Sequence, residues 1–409
     1  MKKLILELNE FNFDLLKKAS KTRPNIAAVL EKSGIVQFQI DEDYDSDYLE
    51  PWSQWITVHT GKSCEVHKIK HLGDVENLQH KQVWDLDPHK FGKVWGCLNS
   101  KSPAIDNGVK YFPDPWTKSS ETNVPSARRL QNFLRFAVSA RSNIPLKSKM
   151  LIAIDALYSA IWLGVCMDKK LSSIIISKRT KLANTSMIYA IIEYLCFKRF
   201  LKIYSNRKID IFFSNMLAHC QHYYWNTDQH YKIEVCYDLI DSMLDLARKN
   251  YDEIVVFNGL GQEYSGDIER WHSYVPKGGW QYFVKDFLML DVAVEPCMSY
   301  DCNLICSDAA QLKSVRYKID QLMVQNESKL FLTEPNESDP LKLFIRLAYY
   351  GDEHNSIVIG NDVYKISDLF DLTAIRAGRH CQNSIAFGDI PDIPNSMEAK
   401  NTQAISIYQ

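Results

Sequence analysis

The sequence predicts an α/β protein: a three-layer sandwich around a mostly parallel central sheet, with a helical insertion and a small second lobe. Three observations predict it. Residues 3–8, 209–215 and 253–257 are short, nearly continuous apolar runs without the alternation of a half-solvated strand, as in buried parallel sheets. Segments of helical periodicity follow such runs, and repeated strand–helix alternation implies helices on both faces of a parallel sheet. The 409 residues, 46% hydrophobic and 24% charged, suffice for one large domain with an insertion, or for two domains.

Taken in order, residues 3–8 read as the first strand and 12–20 as a helix. Pro24 starts a second helix over 25–32, which Gly34 ends. Residues 36–40 form the next strand. Residues 41–50 hold six acids in ten positions and read as a solvated loop or a cation-binding rim. Residues 52–59 are amphipathic and helical. Residues 90–97 are a strand entered at Gly92, and 111–116 are extended, since Pro113 and Pro115 exclude helix. Residues 118–145 are polar, with Arg128, Arg129, Arg135 and Arg141, and 147–204 are mostly helical; 118–204 reads as an insertion that caps the site. Residues 209–215 and 253–257 are strands flanking a helix over 233–247, whose Val235, Leu239, Ile240, Met243 and Leu246 share a face. Strand, helix, strand, helix is expected over 290–345. A hairpin is expected at 356–362, a helix over 367–375, a final loop at 378–388 and a polar tail over 389–409. The organisation is therefore 1–117 and 205–289 as core, 118–204 as insertion, 290–345 as a small lobe, and 346–409 as closing segment and tail.

A formal net charge of −2 gives no global field toward nucleic acid or an anionic membrane. The ten Cys form no C-x-x-C pair and lie among apolar residues, which suggests reduced, buried thiols and a cytoplasmic protein. Only Leu4, Ile5 and Leu6 precede Glu7, too short an apolar run for a signal peptide. The longer run 150–167 is interrupted by Asp155. It reads as a helix that is buried or lies at a membrane surface, giving a peripheral contact at the inner face, rather than one that crosses.

Five stretches at strand ends carry the candidate chemistry, where open parallel sheets place ligands. They are Glu7-Leu8-Asn9-Glu10; 50–67, where Thr60-Gly61 precedes His67; 215–225, with His219 and His222 three apart; 255–263, with Asn258-Gly259 and Gly261; and 377–388, with Arg379 and His380. In these stretches the chain resembles the alkaline phosphatase superfamily, in its type I phosphodiesterase branch. The resemblance implies an alkaline-phosphatase-like fold. It also implies ligand positions for one zinc at His222 and His380, with Ala218 where the family has Asp. The family's strand-one Asp falls at Glu7 or Asn9, its nucleophile on Pro51, and its Asp-His pair on Asn258-Gly259.

Two-metal phosphoryl transfer needs an activated nucleophile and a second ion, and both places are altered here. Little turnover of generic phosphate-ester dyes is therefore expected. Glu7, Glu50, Ser53 and His222 remain as candidate catalytic groups, with either glutamate as base and Ser53 as a displaced nucleophile. Asn9, Trp52, Asn258, Gly259, Gly261 and Arg379 are candidate substrate contacts, with Trp52 or Trp55 as a stacking face and the glycines or Arg379 meeting phosphate. His219, His222 and His380 are candidate ligands for one divalent ion, zinc or manganese. Divergent proteins of this kind, as the resemblance suggests, serve bacterial surface-polysaccharide biosynthesis. The expected activity is group transfer, with glycosyl transfer as one form, from a nucleotide-sugar or phospho-sugar to a glycan or glycolipid acceptor, without nucleic acid. The alternatives are a one-metal phosphodiesterase or pyrophosphatase, and a non-catalytic phosphate-ligand binding protein.

Overall fold

Lys3–Leu8 (β1) is the middle of a seven-stranded mixed sheet, and all six of its residues are buried. The structure, a computed structural model, describes the chain except residues 33, 41–48, 105–106, 140–145, 165–184, 266–270, 298–300, 325–327, 337–338, 352–354, 360–361, 391–399 and 409. The acidic stretch 41–48, Arg141, the hairpin turn at 360–361 and, of the expected polar tail, residues 391–399 and 409 lie outside the described residues.

With β2 Val36–Gln39, β3 Phe91–Trp95, β4 Lys110–Phe112, β5 Ile209–Ser214 and β6 Glu253–Phe257, the sheet order is β2, Asn383–Gly388, β6, β1, β5, β3, β4. From β6 to β4 all pairs are parallel; Asn383–Gly388 runs antiparallel to both β6 and β2. Leu4, Ile5 and Leu6 have no exposed surface. Such residues stabilise the sheet by about 1.5–3 kcal/mol each. Buried on both faces, β1 has no reason to alternate, which is why its sequence reads as a continuous apolar run.

The Pro51–Thr60 helix lies on this sheet with all ten residues buried. Pro51 sits in the first turn, where its missing N–H costs nothing, and Gly61 closes the helix at φ 64°. A side chain at Gly61 would lie 3.1 Å from Ile405. Ile405 belongs to the Asn401–Tyr408 3-10 helix, which buries Asn401, Ala404, Ile407 and Tyr408. The last residues are thus part of the core rather than a polar tail. Their polarity misleads because Asn401 is spent on buried partners: its side-chain amide donates to Gln54 Oε1 at 3.0 Å and Gly259 O at 2.8 Å.

Residues 378–388 form two strands rather than a loop. Gly378–Cys381 pairs antiparallel with β7, Gly261–Tyr264, and Asn383–Gly388 joins the main sheet. In the insertion, the Arg128–Ser139, Leu146–Leu163 and Thr185–Lys202 helices are present. No helix among the described residues is long and apolar enough to cross a membrane.

The chain forms two compact units, one of Met1–Ala137, Ile144–Tyr264 and Gly378–Gln409, the other mainly Ser265–Ala377. The second has its own core, including Trp280, Phe283, Phe331 and Phe370. Antiparallel strands dominate it, in two four-stranded sheets, with Ala309–Asp320 as its longest helix. The expected strand–helix–strand–helix pattern over 290–345 therefore gives way to a mostly stranded one. Similarly, the helix expected over 367–375 is confined to Ile366–Leu369. Phe370–Arg376 pairs instead with Trp271–Pro276, and this pairing overrides the local helical pattern.

Candidate metal centre

Three elements converge beyond the carboxyl end of β1. Asn9 N–H donates to Ser214 O at the end of β5, which extends the ladder by one residue. The next residue, Glu10, turns into the left-handed region at φ 59°. A non-glycine residue held there costs about 1–2 kcal/mol, a strain that clusters at functional sites. Gln221 Nε2 holds the turn by donating to Glu10 O at 2.8 Å. The left-handed turn brings the buried Glu10 carboxylate against two imidazoles, one from the Met216–Tyr224 helix and one from the Gly378–Cys381 strand.

His222 Nε2 and His380 Nε2 each lie 3.1 Å from the same oxygen, Glu10 Oε2. The two ring centroids are 5.0 Å apart. Each ring's other nitrogen faces a backbone carbonyl: His222 Nδ1 is 2.9 Å from Gly378 O, and His380 Nδ1 is 2.6 Å from Leu49 O. A carbonyl only accepts, so each Nδ1 carries the proton and donates. In the neutral tautomers both Nε2 lone pairs then point at a carboxylate oxygen. Three electron-pair donors meeting at one place require a positive charge, either a proton on a ring or a metal ion.

The donor set fits a divalent ion. Two imidazole nitrogens and a carboxylate suit zinc, and bonds of ~2.0–2.1 Å set tetrahedral ligand atoms about 3.4 Å apart. Outer support of the usual kind is present, with both Nδ1–H groups on carbonyls. Asn9 Nδ2 donates to Glu10 Oε1 at 2.8 Å, and Gln262 Nε2 donates to Glu10 Oε2. Asn9 is fixed in turn by Asn215 Oδ1, which accepts from its Nδ2 at 2.7 Å, and by Trp55 Nε1, which donates to its Oδ1 at 2.7 Å.

Without an ion, protons take its place. Burial works to raise the Glu10 carboxyl, but the charge of His380 and hydrogen bonds from both rings outweigh it and hold the group well below the usual carboxylate range. Burial likewise depresses His380, yet the Glu10 charge and hydrogen bond, with smaller help from Glu50 and Leu49 O, push it up to about 8. A raised folded pKa stabilises fully below the unfolded value of about 6.5 and is lost as pH rises through about 8; a lowered carboxyl stabilises above its unfolded value and is lost in acid. The chelator-treated protein should therefore be most stable between about pH 4.5 and 6.5, and its Tm should fall by roughly 2–4 °C from pH 6.5 to 8.5. Ion affinity should rise over the same interval as the proton leaves. Thermal melts with and without chelator check both signs; an identical pH profile in the two states would refute the shared site.

The structure distributes the remaining candidates as follows. Glu50 stays near the cluster, its Oε2 3.9 Å from His380 Nδ1 and its side chain 17% exposed. His219 is not part of the cluster. Three residues along a helix leave side chains about 60° apart, and its ring packs against Tyr223 at 4.8 Å. Glu7 is the main correction. It has no exposure and joins a separate buried group: Oε1 is 2.9 Å from His59 Nε2 and accepts from Tyr408 at 2.5 Å, with Cys97 adjacent. A base enclosed there meets no substrate.

Ser53 is likewise fully buried, its hydroxyl donating to Cys64 Sγ at 3.3 Å, so it is not a displaced nucleophile. Trp52 donates to Lys70 O, and Trp55 packs at Gly259, where a Cβ would sit 3.0 Å from its ring. Both indoles are packing groups rather than exposed stacking faces. Asn258 is consumed by Phe11 O and Ile385 N–H, and Gly261 pairs with Cys381 in a strand. The Gly259–Gly261 turn is therefore packed rather than open to phosphate. Arg379 is about half exposed and bonds Glu263 at 2.9 Å.

Sequence reasoning missed Glu10. One signal could have found it: Glu10 stands just past the end of the first apolar strand, where an open sheet places ligands.

No family model matches the chain, and no curated protein matches it. Among solved structures, phosphonoacetate hydrolase from Sinorhizobium meliloti 1021 is similar at 12% identity and a TM-score of 0.48, covering 100% of this chain and 95% of that one. Human ectonucleotide pyrophosphatase/phosphodiesterase 5 is similar at 10% identity and a TM-score of 0.45, covering 99% and 93%. At these values no residue role is taken from either protein.

Proposed function

We propose that the chain is a one-metal hydrolase of phosphate esters or anhydrides, with a phosphodiester or pyrophosphate as substrate class. The observation that supports it is the convergence of His222 Nε2 and His380 Nε2 on Glu10 Oε2, with both Nδ1 protons committed to carbonyls. The motif resemblance at His222 and His380 points the same way. A bound divalent ion supplies Lewis-acid polarisation of a phosphoryl oxygen and acidifies a water. Glu10, His222 and His380 would hold it. Glu50, beside His380 and partly open, takes a proton from the attacking water. Pro51 offers no hydroxyl, so no covalent phosphoryl-enzyme forms at that position. The transfer reading on nucleotide-sugars needs Glu7, Asn258 and the glycine turn, beside Glu50, His222, His380 and Arg379, to reach a ligand, and the burial of the first three weakens it.

The test is phosphodiester and dinucleoside-pyrophosphate hydrolysis by protein loaded with zinc or manganese. We expect metal-dependent turnover, and Glu50→Gln should lower it about 10²-fold while ion content stays at one equivalent. Full ion occupancy without any hydrolysis would make this a non-catalytic binding protein.

A further inference from the structure

The Leu146–Leu163 helix presents its apolar side to solvent. Leu151, Ile154, Leu157, Tyr158 and Ile161 are all exposed, Leu157 at 65% and Ile161 at 72%. At 100° per residue these five span about 120° of the helix circumference. From Leu151 onward that arc contains no charged residue. The rest of the helix anchors it: Ser159 and Leu163 are buried, and at the edge of the exposed arc the Trp162 ring lies parallel to Trp95 with centroids 6.4 Å apart. Contiguous apolar patches of this kind on a protein surface mark an interaction site.

Charge identifies the partner. Residues 118–204 hold 15 Lys and Arg against four Asp and Glu, a formal +11, in a chain whose total is −2. The total conceals this segregation. Cations border the apolar row in space as well: the Arg129 guanidinium lies 4.8 Å over the Tyr158 ring, and Arg199 packs 4.5 Å over Trp162. An apolar helix face within a strongly basic segment fits an anionic bilayer, where acyl chains receive the face and lipid headgroups receive the cations. A second copy of the chain fits poorly, because it would set Arg129 and Arg199 against the same cations of the partner.

We propose that this helix lies in the headgroup region of an anionic lipid membrane and holds the protein there. The experiment is flotation of the full chain with vesicles of phosphatidylglycerol and phosphatidylcholine in equal parts, against phosphatidylcholine alone. Wild type should float with the anionic vesicles only and be released at about 1 M salt, where the Debye length shrinks to ~3 Å. Leu157→Glu with Ile161→Glu should weaken flotation at least roughly tenfold, leaving Tm and ion content unchanged, since both side chains are at the surface. Arg128→Glu with Arg129→Glu should weaken it at low salt and leave little salt dependence. Three results overturn the proposal: no flotation of wild type with anionic vesicles; a Leu157/Ile161 variant that floats as well as wild type; or a wild-type dimer that the same variant converts to monomer while neither floats.

Discussion

Replacing Glu10 by Gln should abolish ion binding at the candidate metal centre without unfolding the protein. The amide keeps the shape of the side chain, and its oxygen still accepts from Asn9. Its N–H groups can donate to the imidazole Nε2 lone pairs; the bond from Gln262 Nε2 is lost, but that amide keeps Ala218 O as an acceptor at 3.2 Å, so the site stays hydrogen-bonded and neutral. The ligand charge, however, is gone. Ion affinity should fall by more than the roughly 10–100-fold that loss of an outer-shell partner costs, and hydrolysis with it. His380 should lose the partner that pushes it up, so the difference in Tm between pH 6.5 and 8.5 in the chelated protein should vanish as well. Metal analysis after desalting and melts at the two pH values give independent readouts. If Glu10→Gln retains one equivalent of ion, the cluster is not the metal site.

The opposite outcome is expected only three residues earlier. Glu7→Gln or His59→Leu should leave ion content and turnover intact and cost stability. Both side chains have no exposure, and breaking one partner of a buried pair strands the other; about 3–5 kcal/mol is the usual scale. The double variant Glu7→Leu with His59→Leu should recover much of that loss, because a buried pair exchanged for apolar groups is often neutral. Denaturant midpoints measure the three variants. A Glu7→Gln protein of normal stability that fails to turn over substrate would restore Glu7 to the active site.

The contrast between Glu7 and Glu10 separates local from tertiary information. The sequence by itself determined the central strands, because β1, β5 and β6 are buried on both faces and so read as unbroken apolar runs. It also determined which stretches follow them, and the family resemblance of two of those stretches set His222 and His380 down as ligands of one ion. Strand ends and the loops that follow are encoded locally, and an open sheet gathers them on one side. Only the tertiary structure decided which acid completes the pair. Side chains alternate along a strand, so Glu7 and Asn9 share a face. Residues one helical turn apart on the Pro51–Thr60 helix meet them, His59 at Glu7 and Trp55 at Asn9. Tyr408, 401 positions further along the chain, then closes over Glu7. Glu10 is also buried, but its left-handed turn directs the side chain away from this group and onto His222 and His380, whose side chains are 15% and 18% exposed. No window of sequence contains partners at that separation. The burial of an acid, and therefore its availability for chemistry, follows from which distant segment packs over it.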